Sequence, residues 1–163
     1  MRPTSRLLRI VLNLSLLPAL LATQAFAKSP SCSEVGGALL TNVGGFGLVN
    51  NHATTLGVAT GDLKGAVGVE ILEGNPIAGF TVQHHWVTDD GETLNIDQAH
   101  ANGTFVNDAG LFAITDYKFT VSGGTGHFQN LSGTLSAIGE IDFAAGHAIL
   151  RYAGTLCHSS EKP

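Results

Sequence analysis

Beyond residue 27, the hydrophobic and polar positions show almost no helical periodicity. They form runs of about 7 to 12 residues, typical of β-strands, which Gly, Asn and Asp separate. The predicted strands cover residues 35–41, 47–51, 54–60, 64–72, 77–88, 92–101, 110–122, 133–141 and 147–156. Strands at this spacing, joined by hairpin turns without crossover helices, predict one antiparallel, all-β sandwich or barrel.

The hairpin over residues 77–101 has a register that its turn predicts. Asp90-Gly91 is a favoured pair for a two-residue type I′ turn. With that turn as the loop, alternation places one mixed set of side chains on a single face: Val82, His84, Trp86, Asn95 and Asp97. Because both faces mix polar and apolar groups, the pattern favours a barrel with a polar-lined cavity over a solid-core sandwich. Solvent exposure of one face is the alternative, and a one-residue shift would exchange the faces.

His84 and Asp97 form the candidate catalytic pair of this face. Facing residues have Cβ atoms about 4.5–5.5 Å apart, so the carboxylate would orient the imidazole, raise its pKa and make it a general base. A surface cross-strand pair is the alternative. If the face lines a pocket, His84→Ala reduces ligand binding or turnover more than His127→Ala. The candidate ligand-binding residues are Trp86, Asn95, Val82 and Tyr117.

Other chemistries have little support in the sequence. It contains no G-x-S-x-G motif, which disfavours hydrolysis by an activated serine. Of the 7 histidines, His84 and His85 point to opposite faces of one strand, and no two have H-x-H or H-x-x-x-H spacing. We therefore predict neither a metal site nor a cofactor, and metal binding is kept as a minor alternative.

The first residues have the pattern of an export signal. Arginines at positions 2, 6 and 9 accompany an apolar stretch over residues 7–21, and Ala25-Phe26-Ala27 matches a cleavage site. We predict a signal peptide over residues 1–27, a barrel domain over 28–158 and a flexible tail over 159–163. A membrane anchor is the alternative, which the short, interrupted apolar stretch disfavours.

Export changes what the charges and cysteines imply. Without its 3 leader arginines, the chain keeps 5 of its 8 basic residues against 13 acidic ones, a net charge of −8. Such a balance disfavours binding to nucleic acid or to anionic lipid. In the periplasm or the extracellular medium, Cys32 and Cys157 are expected to form one disulfide that joins positions 125 residues apart.

Residues 116–157 carry a resemblance to a known family. They contain Gly123-Gly124-Thr125-Gly126-His127-Phe128, then Gly133-Thr134-Leu135, and later Tyr152-Ala153-Gly154-Thr155. This resembles secreted proteins of the allene oxide cyclase barrel-like and dirigent-like group. The resemblance implies an antiparallel barrel of about eight strands with a ligand cavity. Family members with known roles cyclise or steer reactive intermediates, often without a metal or cofactor.

Two classes of function follow from these residues and from the resemblance. The first is an exported barrel that binds a small hydrophobic molecule or intermediate and, as a cofactor-independent enzyme, cyclises or isomerises it. The second is a non-catalytic, lipocalin-like binding protein or an extracellular interaction protein. Neither class requires nucleic acid, or a membrane after signal cleavage. The sequence is compatible with a homo-oligomer.

Overall fold

A computed structural model describes residues 31–43, 48–49, 51–75 and 77–159 of the 163-residue chain. The predicted signal peptide lies outside these residues, as does all of the predicted tail except Ser159. Within the described ranges, the structure has no helix that is both long and apolar enough to cross a membrane.

The described chain is built from antiparallel strands that follow the predicted pattern closely. A single predicted strand, over residues 92–101, is divided into two by a break at Asp97-Gln98. Short 3-10 turns cover Gly61–Leu63 and Gly126–Phe128. The strands are β1 Ser31–Asn42, β2 Leu48–Val49, β3 His52–Ala59, β4 Gly65–Asn75, β5 Gly79–Thr88, β6 Thr93–Ile96, β7 Ala99–Phe105, β8 Leu111–Gly124, β9 Leu131–Asp142 and β10 His147–His158.

The sheet closes on itself, because β1 pairs with β10 on one side and with β3 on the other. β6 and β7 occupy the same position between β5 and β8. In the same way, β1 and β2 follow one another along β3. The barrel therefore has eight strand positions, which confirms the predicted fold class. Closure gives nearly every strand two partners and leaves no long open edge.

Inside the barrel, the core consists of the apolar side chains that alternate inward along each strand. On β8 the alternation changes phase at Thr115-Asp116, where a register shift against β9 places two successive exposed residues. Before this bulge Ile114 points inward, and after it Tyr117 and Phe119 do. If β8 kept a regular alternation from Ile114 onward, Asp116 and Lys118 would point into the core. The bulge therefore determines which side chains of β8 lie inside the barrel.

One end of the barrel is filled by a plug around Leu63. Leu63 is buried in the first 3-10 turn, and its carbonyl accepts the indole N–H of Trp86 at 2.8 Å. The hydroxyl of Tyr152 accepts the Leu63 N–H at 3.2 Å and donates to the Thr60 carbonyl at 2.8 Å. Trp86 and Tyr152 also meet edge to face, with ring centroids 5.6 Å apart. The indole N–H of Trp86 and the hydroxyl of Tyr152 thus both have hydrogen-bond partners, and the two rings fill this end of the barrel.

The glycine-rich segment that carries the family resemblance is a turn at this same end. Gly126 has φ 57°, a left-handed conformation, where the chain turns from β8 into the second 3-10 turn. The turn places Phe128, partly buried, against the core. The motif therefore closes this end of the barrel.

A disulfide joins the first and last strands. Cys32 lies opposite Cys157 in the pairing of β1 with β10, and the two are bonded as predicted. Since the bond links residues 125 positions apart, it restricts the unfolded chain over almost the whole domain.

We expect Cys157→Ser to lower the free energy of unfolding by about 4 kcal/mol, because the chain-entropy contribution of so long a loop is lost. Urea titrations of the native and variant proteins, each with and without reductant, measure this. Reductant should destabilise only the native protein. Two titratable thiols in the unreduced native protein would contradict the disulfide.

Candidate functional site

The loop between β5 and β6 differs from the predicted two-residue turn. Thr88 donates its N–H to the Glu92 carbonyl and accepts the N–H of Gly91, so the loop has three residues, numbered 89–91. Gly91 has φ 80°, whereas Asp90 lies outside the left-handed region. A type I′ turn needs both central residues there, and a three-residue loop needs only the last. The predicted turn type is therefore wrong.

This loop shifts the register between β5 and β6 by one residue. Trp86 faces Leu94 instead of Asn95, and the faces of β6 are exchanged. Asn95 and Asp97 consequently lie exposed on the outside of the barrel, while His84 is buried inside, 3% exposed. The predicted cross-strand pair of His84 with Asp97 is wrong for this physical reason, and so is the inward position of Asn95.

Asp97 has a different partner on the outer surface. Its carboxylate accepts the Ser122 hydroxyl at 2.8 Å. The break after Asp97 adds one residue before β7, so that Val82 pairs with Ala99, the partner that a two-residue loop would have given it. The register is therefore displaced near the loop and correct further along the hairpin.

Val82 and His84 line a cavity of about 80 Å³ inside the barrel. Trp86, a further inward residue of β5, instead belongs to the plug at the closed end. Towards the other end the lining becomes partly exposed, and Phe143 is 40% exposed there. The apolar lining residues are Leu39, Val43, Val69, Ile71, Phe80, Val82, Ala101, Ile114, Ile141, Phe143 and Leu150, and the polar ones are Thr41, His84 and Tyr117.

A hydrogen bond between two buried side chains supplies most of the polarity of this cavity. The Tyr117 oxygen and His84 Nε2 lie 2.6 Å apart. Their rings are stacked with centroids 5.7 Å apart, and Phe119 covers the imidazole at 4.9 Å. We call this pair the His84–Tyr117 dyad. Phe119 and the apolar lining around it shield the dyad from water, which strengthens its hydrogen bond.

Burial keeps both members of the dyad neutral. Desolvation, assisted by the nearby imidazole of His85, lowers the pKa of His84 from its ordinary value of 6.5 to about 4. Desolvation also raises the pKa of the Tyr117 hydroxyl well above its usual range. Since a neutral imidazole nitrogen is more basic than a phenol oxygen, Tyr117 is the natural donor and Nε2 the acceptor. The single ring hydrogen of His84 then lies on Nδ1.

Nδ1 of His84 is buried and has no hydrogen-bond partner within the part of the chain that the structure describes. An unpaired buried donor costs about 1–3 kcal/mol. The imidazole that lines the cavity thus has one buried nitrogen that the described protein atoms leave unpaired and that the cavity itself does not expose.

Tyr117 is the predicted site residue that the structure brings to His84, but the predicted hairpin could not indicate this contact. The two residues lie on different strands, 33 positions apart. The bulge at Thr115-Asp116 turns Tyr117 inward, and bulges leave only a weak trace in a single sequence. The available signal was that Tyr117 and Phe119 share one face of their strand.

Another group of titratable residues lies on the outer surface. Glu70 is 4% exposed, and its two oxygens contact His52 Nδ1 at 2.9 Å and His85 Nε2 at 3.3 Å. The two imidazoles cover this carboxylate, and each has a ring nitrogen within hydrogen-bond distance of it. Among the described residues, no three His, Cys, Asp or Glu side chains are grouped so that they could hold a metal ion.

Comparison with known proteins identifies the fold. No protein-family model matches the chain, and no curated protein matches its sequence. A solved structure of the pterocarpan synthase dirigent protein GePTS1 matches with a TM-score of 0.50 and 17% sequence identity. The match covers 88% of this chain and 98% of that one.

The molecule is therefore a dirigent-like antiparallel barrel, as the resemblance in its last third predicts. The likeness to allene oxide cyclases stays a prediction. A disulfide in a barrel of this type is typical of extracellular proteins, and export itself remains predicted from the leader.

We expect the buried, neutral His84 to make stability depend on pH. Because unfolding returns its pKa from about 4 to 6.5, the unfolded chain binds a proton that the folded protein excludes. Stability is therefore full above pH 6.5 and falls by about 3 kcal/mol as pH drops through this window. Urea denaturation across the window measures the change.

His84→Phe should lack this component of the pH dependence, whereas His127→Phe, whose wild-type side chain is 91% exposed, should retain it. Equal pH profiles for the two variants would contradict the burial of a neutral imidazole at position 84.

Proposed function

We propose that this protein binds a small, hydrophobic molecule in the cavity that contains the His84–Tyr117 dyad. One observation carries the proposal: an apolar cavity at the open end of a closed barrel is lined by the hydrogen-bonded side chains of His84 and Tyr117. Ligand sites in proteins combine mostly apolar walls with a few placed polar groups. A solid core of this size would instead be filled by larger side chains.

The two ends of the barrel support this assignment. At the closed end, Trp86, Tyr152 and Leu63 fill the interior and satisfy one another's polar atoms. At the other end, small residues such as Ala101 leave space, and aromatic side chains surround the entrance. Phe80 and Phe112 meet edge to face there with centroids 5.6 Å apart. An apolar molecule entering at this end would exchange water for these side chains.

The cavity volume limits the size of the occupant. About 80 Å³ is well below the roughly 300–1,000 Å³ of sites for drug-sized ligands. A molecule with one ring is therefore the expected scale, with any larger part extending past Phe143 towards solvent.

A second candidate function is catalysis of a cyclisation or isomerisation without a cofactor. The observation in its favour is the dyad, in which His84 is unprotonated near neutral pH and Tyr117 supplies an O–H beside it. The lowered pKa makes this imidazole a weaker base than that of a free histidine. The similar solved structure is described as a pterocarpan synthase, which is a property of that protein. Binding alone, without turnover, is the simpler function of the same cavity.

We expect Ala101→Phe to abolish the binding of toluene, since the new ring occupies the space that Ala101 leaves. Methyl NMR signals of Val69, Ile114 and Leu150, which line the cavity, should shift with toluene in the native protein and stay fixed in the variant. Ala66→Phe is the matched control, because Ala66 lies exposed on the outside of β4. Shifts confined to outer-surface residues in the native protein would disprove the proposal.

Catalysis has its own test. In heavy water, an enzyme that moves protons with the dyad should speed deuterium exchange next to the carbonyl of cyclohexanone, followed by mass spectrometry. His84→Phe and Tyr117→Phe should both remove the acceleration, while His127→Phe should keep it. Exchange at the uncatalysed rate, together with toluene binding, would leave the protein as a binding protein only.

A further inference from the structure

The loops at the two ends of the barrel differ in chemistry. At the closed end, the loops between β3 and β4 and between β5 and β6 expose charged side chains, such as those of Asp62 and Asp90. At the open end, the loops between β4 and β5, between β7 and β8 and between β9 and β10 expose apolar ones. Ile77 is 96% exposed, Val106 is 59% exposed and Phe143 is 40% exposed. Apolar groups clustered on three loops are typical of a surface that contacts a partner.

An aromatic cluster connects these loops with the cavity. Its members are Phe80, Phe105, Phe112 and Phe143. Phe80 and Phe143 line the cavity, and their ring centroids lie 6.3 Å apart. Phe143 also lies 6.3 Å from Phe105, and both of these rings are partly exposed at the surface. Apolar surface is therefore continuous from the cavity wall to the loops of the open end.

The charges at the open end limit the kind of partner that fits it. Within the described part of these three loops and three strand residues on either side, there is no lysine or arginine. The formally charged side chains there are Glu73, Asp108, Glu140 and Asp142, all acidic. Two copies that met end to end would bring these like charges together, and anionic lipid would be repelled. The partner that this end fits is an apolar surface without negative charge.

We propose that the open end of the barrel docks on a bilayer of neutral phospholipid and exchanges the hydrophobic ligand of the cavity with it. Ile77, Val106 and Phe143 enter the boundary between headgroups and acyl chains, where peripheral proteins bury apolar side chains. The net charge of the chain disfavours anionic lipid, and neutral lipid is not subject to that repulsion. Ligand exchange rests on the proposed binding function, whereas the docking itself does not.

Flotation with vesicles of pure phosphatidylcholine tests the docking. Every protein is purified from an exporting host, and mass spectrometry verifies that all share the same processed N-terminus. We expect the double variant Ile77→Asp/Val106→Asp to lower the partition coefficient at least about tenfold, because two buried apolar side chains are lost. The matched control is Leu56→Asp/Val58→Asp, which adds the same charge at two exposed apolar residues on the side wall of the barrel. It should leave the partition coefficient nearly unchanged.

Two further measurements examine the orientation and the charge dependence. A nitroxide-labelled lipid in the bilayer should broaden the methyl NMR signals of Ile77 and Val106 and leave those of Leu56 and Val58 sharp. Because this measurement uses the native protein, it stands even if a variant does not fold. Replacing half of the phosphatidylcholine with phosphatidylglycerol should weaken the partitioning.

The outcomes separate the docking from the binding function. Absence of flotation with phosphatidylcholine overturns the docking, whatever toluene does in the cavity. Equal losses in the two double variants, or tighter partitioning on the anionic vesicles, overturn the assignment to the open end. A dimer in sedimentation that Ile77→Asp/Val106→Asp abolishes would assign this end to a second copy and overturn the proposal. Docking without toluene binding would leave the contact with lipid standing and overturn the ligand exchange together with the binding function.

Discussion

Closure of the sheet is the constraint on which the rest of this structure depends. The first strand must pair on both edges, with β10 along its whole length and with β3 near its end. Once the ring is closed, every inward side chain shares one enclosed volume, and the alternation along each strand decides what that volume contains. The Cys32–Cys157 bond holds β1 against β10, so the covalent link reinforces the seam between the first and last strands of the barrel.

A closed barrel of eight strands has an interior just wide enough for side chains to fill or to enclose one small molecule. In this chain one end is filled and the other encloses a cavity. At the closed end, large rings satisfy their own polar atoms through Leu63 and Thr60. At the open end, alanine and β-branched residues leave a gap, and the His84 imidazole has only Tyr117 as a hydrogen-bond partner among the described residues. The two ends thus separate the filled part of the core from the part that encloses the cavity.

Much of the fold could be predicted from the sequence because its signals are local. Most loops between the strands contain glycine, asparagine or aspartate, and the glycine-rich turn before Phe128 is distinctive. The cysteines near both ends of the domain indicated their own pairing. The candidate site was less accessible, because a single residue of register decides which face of β6 is inside. The choice between a two-residue and a three-residue loop at Gly91 depended on one backbone dihedral angle of Asp90, and with it the position of Asp97.

The contact between His84 and Tyr117 shows a second limit of prediction from sequence. It joins strands that are distant in the chain, and it requires the bulge at Thr115-Asp116 to reverse the phase of β8. Simple alternation from Phe112 would instead have placed Lys118 inside. Local alternation therefore predicted His84 and Tyr117 as separate site residues but not that the two side chains meet. The contact depends on a bulge, which leaves little trace in a single sequence.

The His84–Tyr117 dyad also has an energetic cost. An imidazole with an unpaired, buried N–H destabilises the fold relative to an apolar side chain of similar size. Burial also makes the protein more sensitive to acid through the lowered pKa of His84. The hydrogen bond with Tyr117 offsets part of this cost, because a phenylalanine at position 84 would leave the buried Tyr117 hydroxyl unpaired. Stacking on Tyr117 and Phe119 would be equally available to a phenylalanine. A molecule bound in the cavity, as proposed, would add to the stability of the folded state.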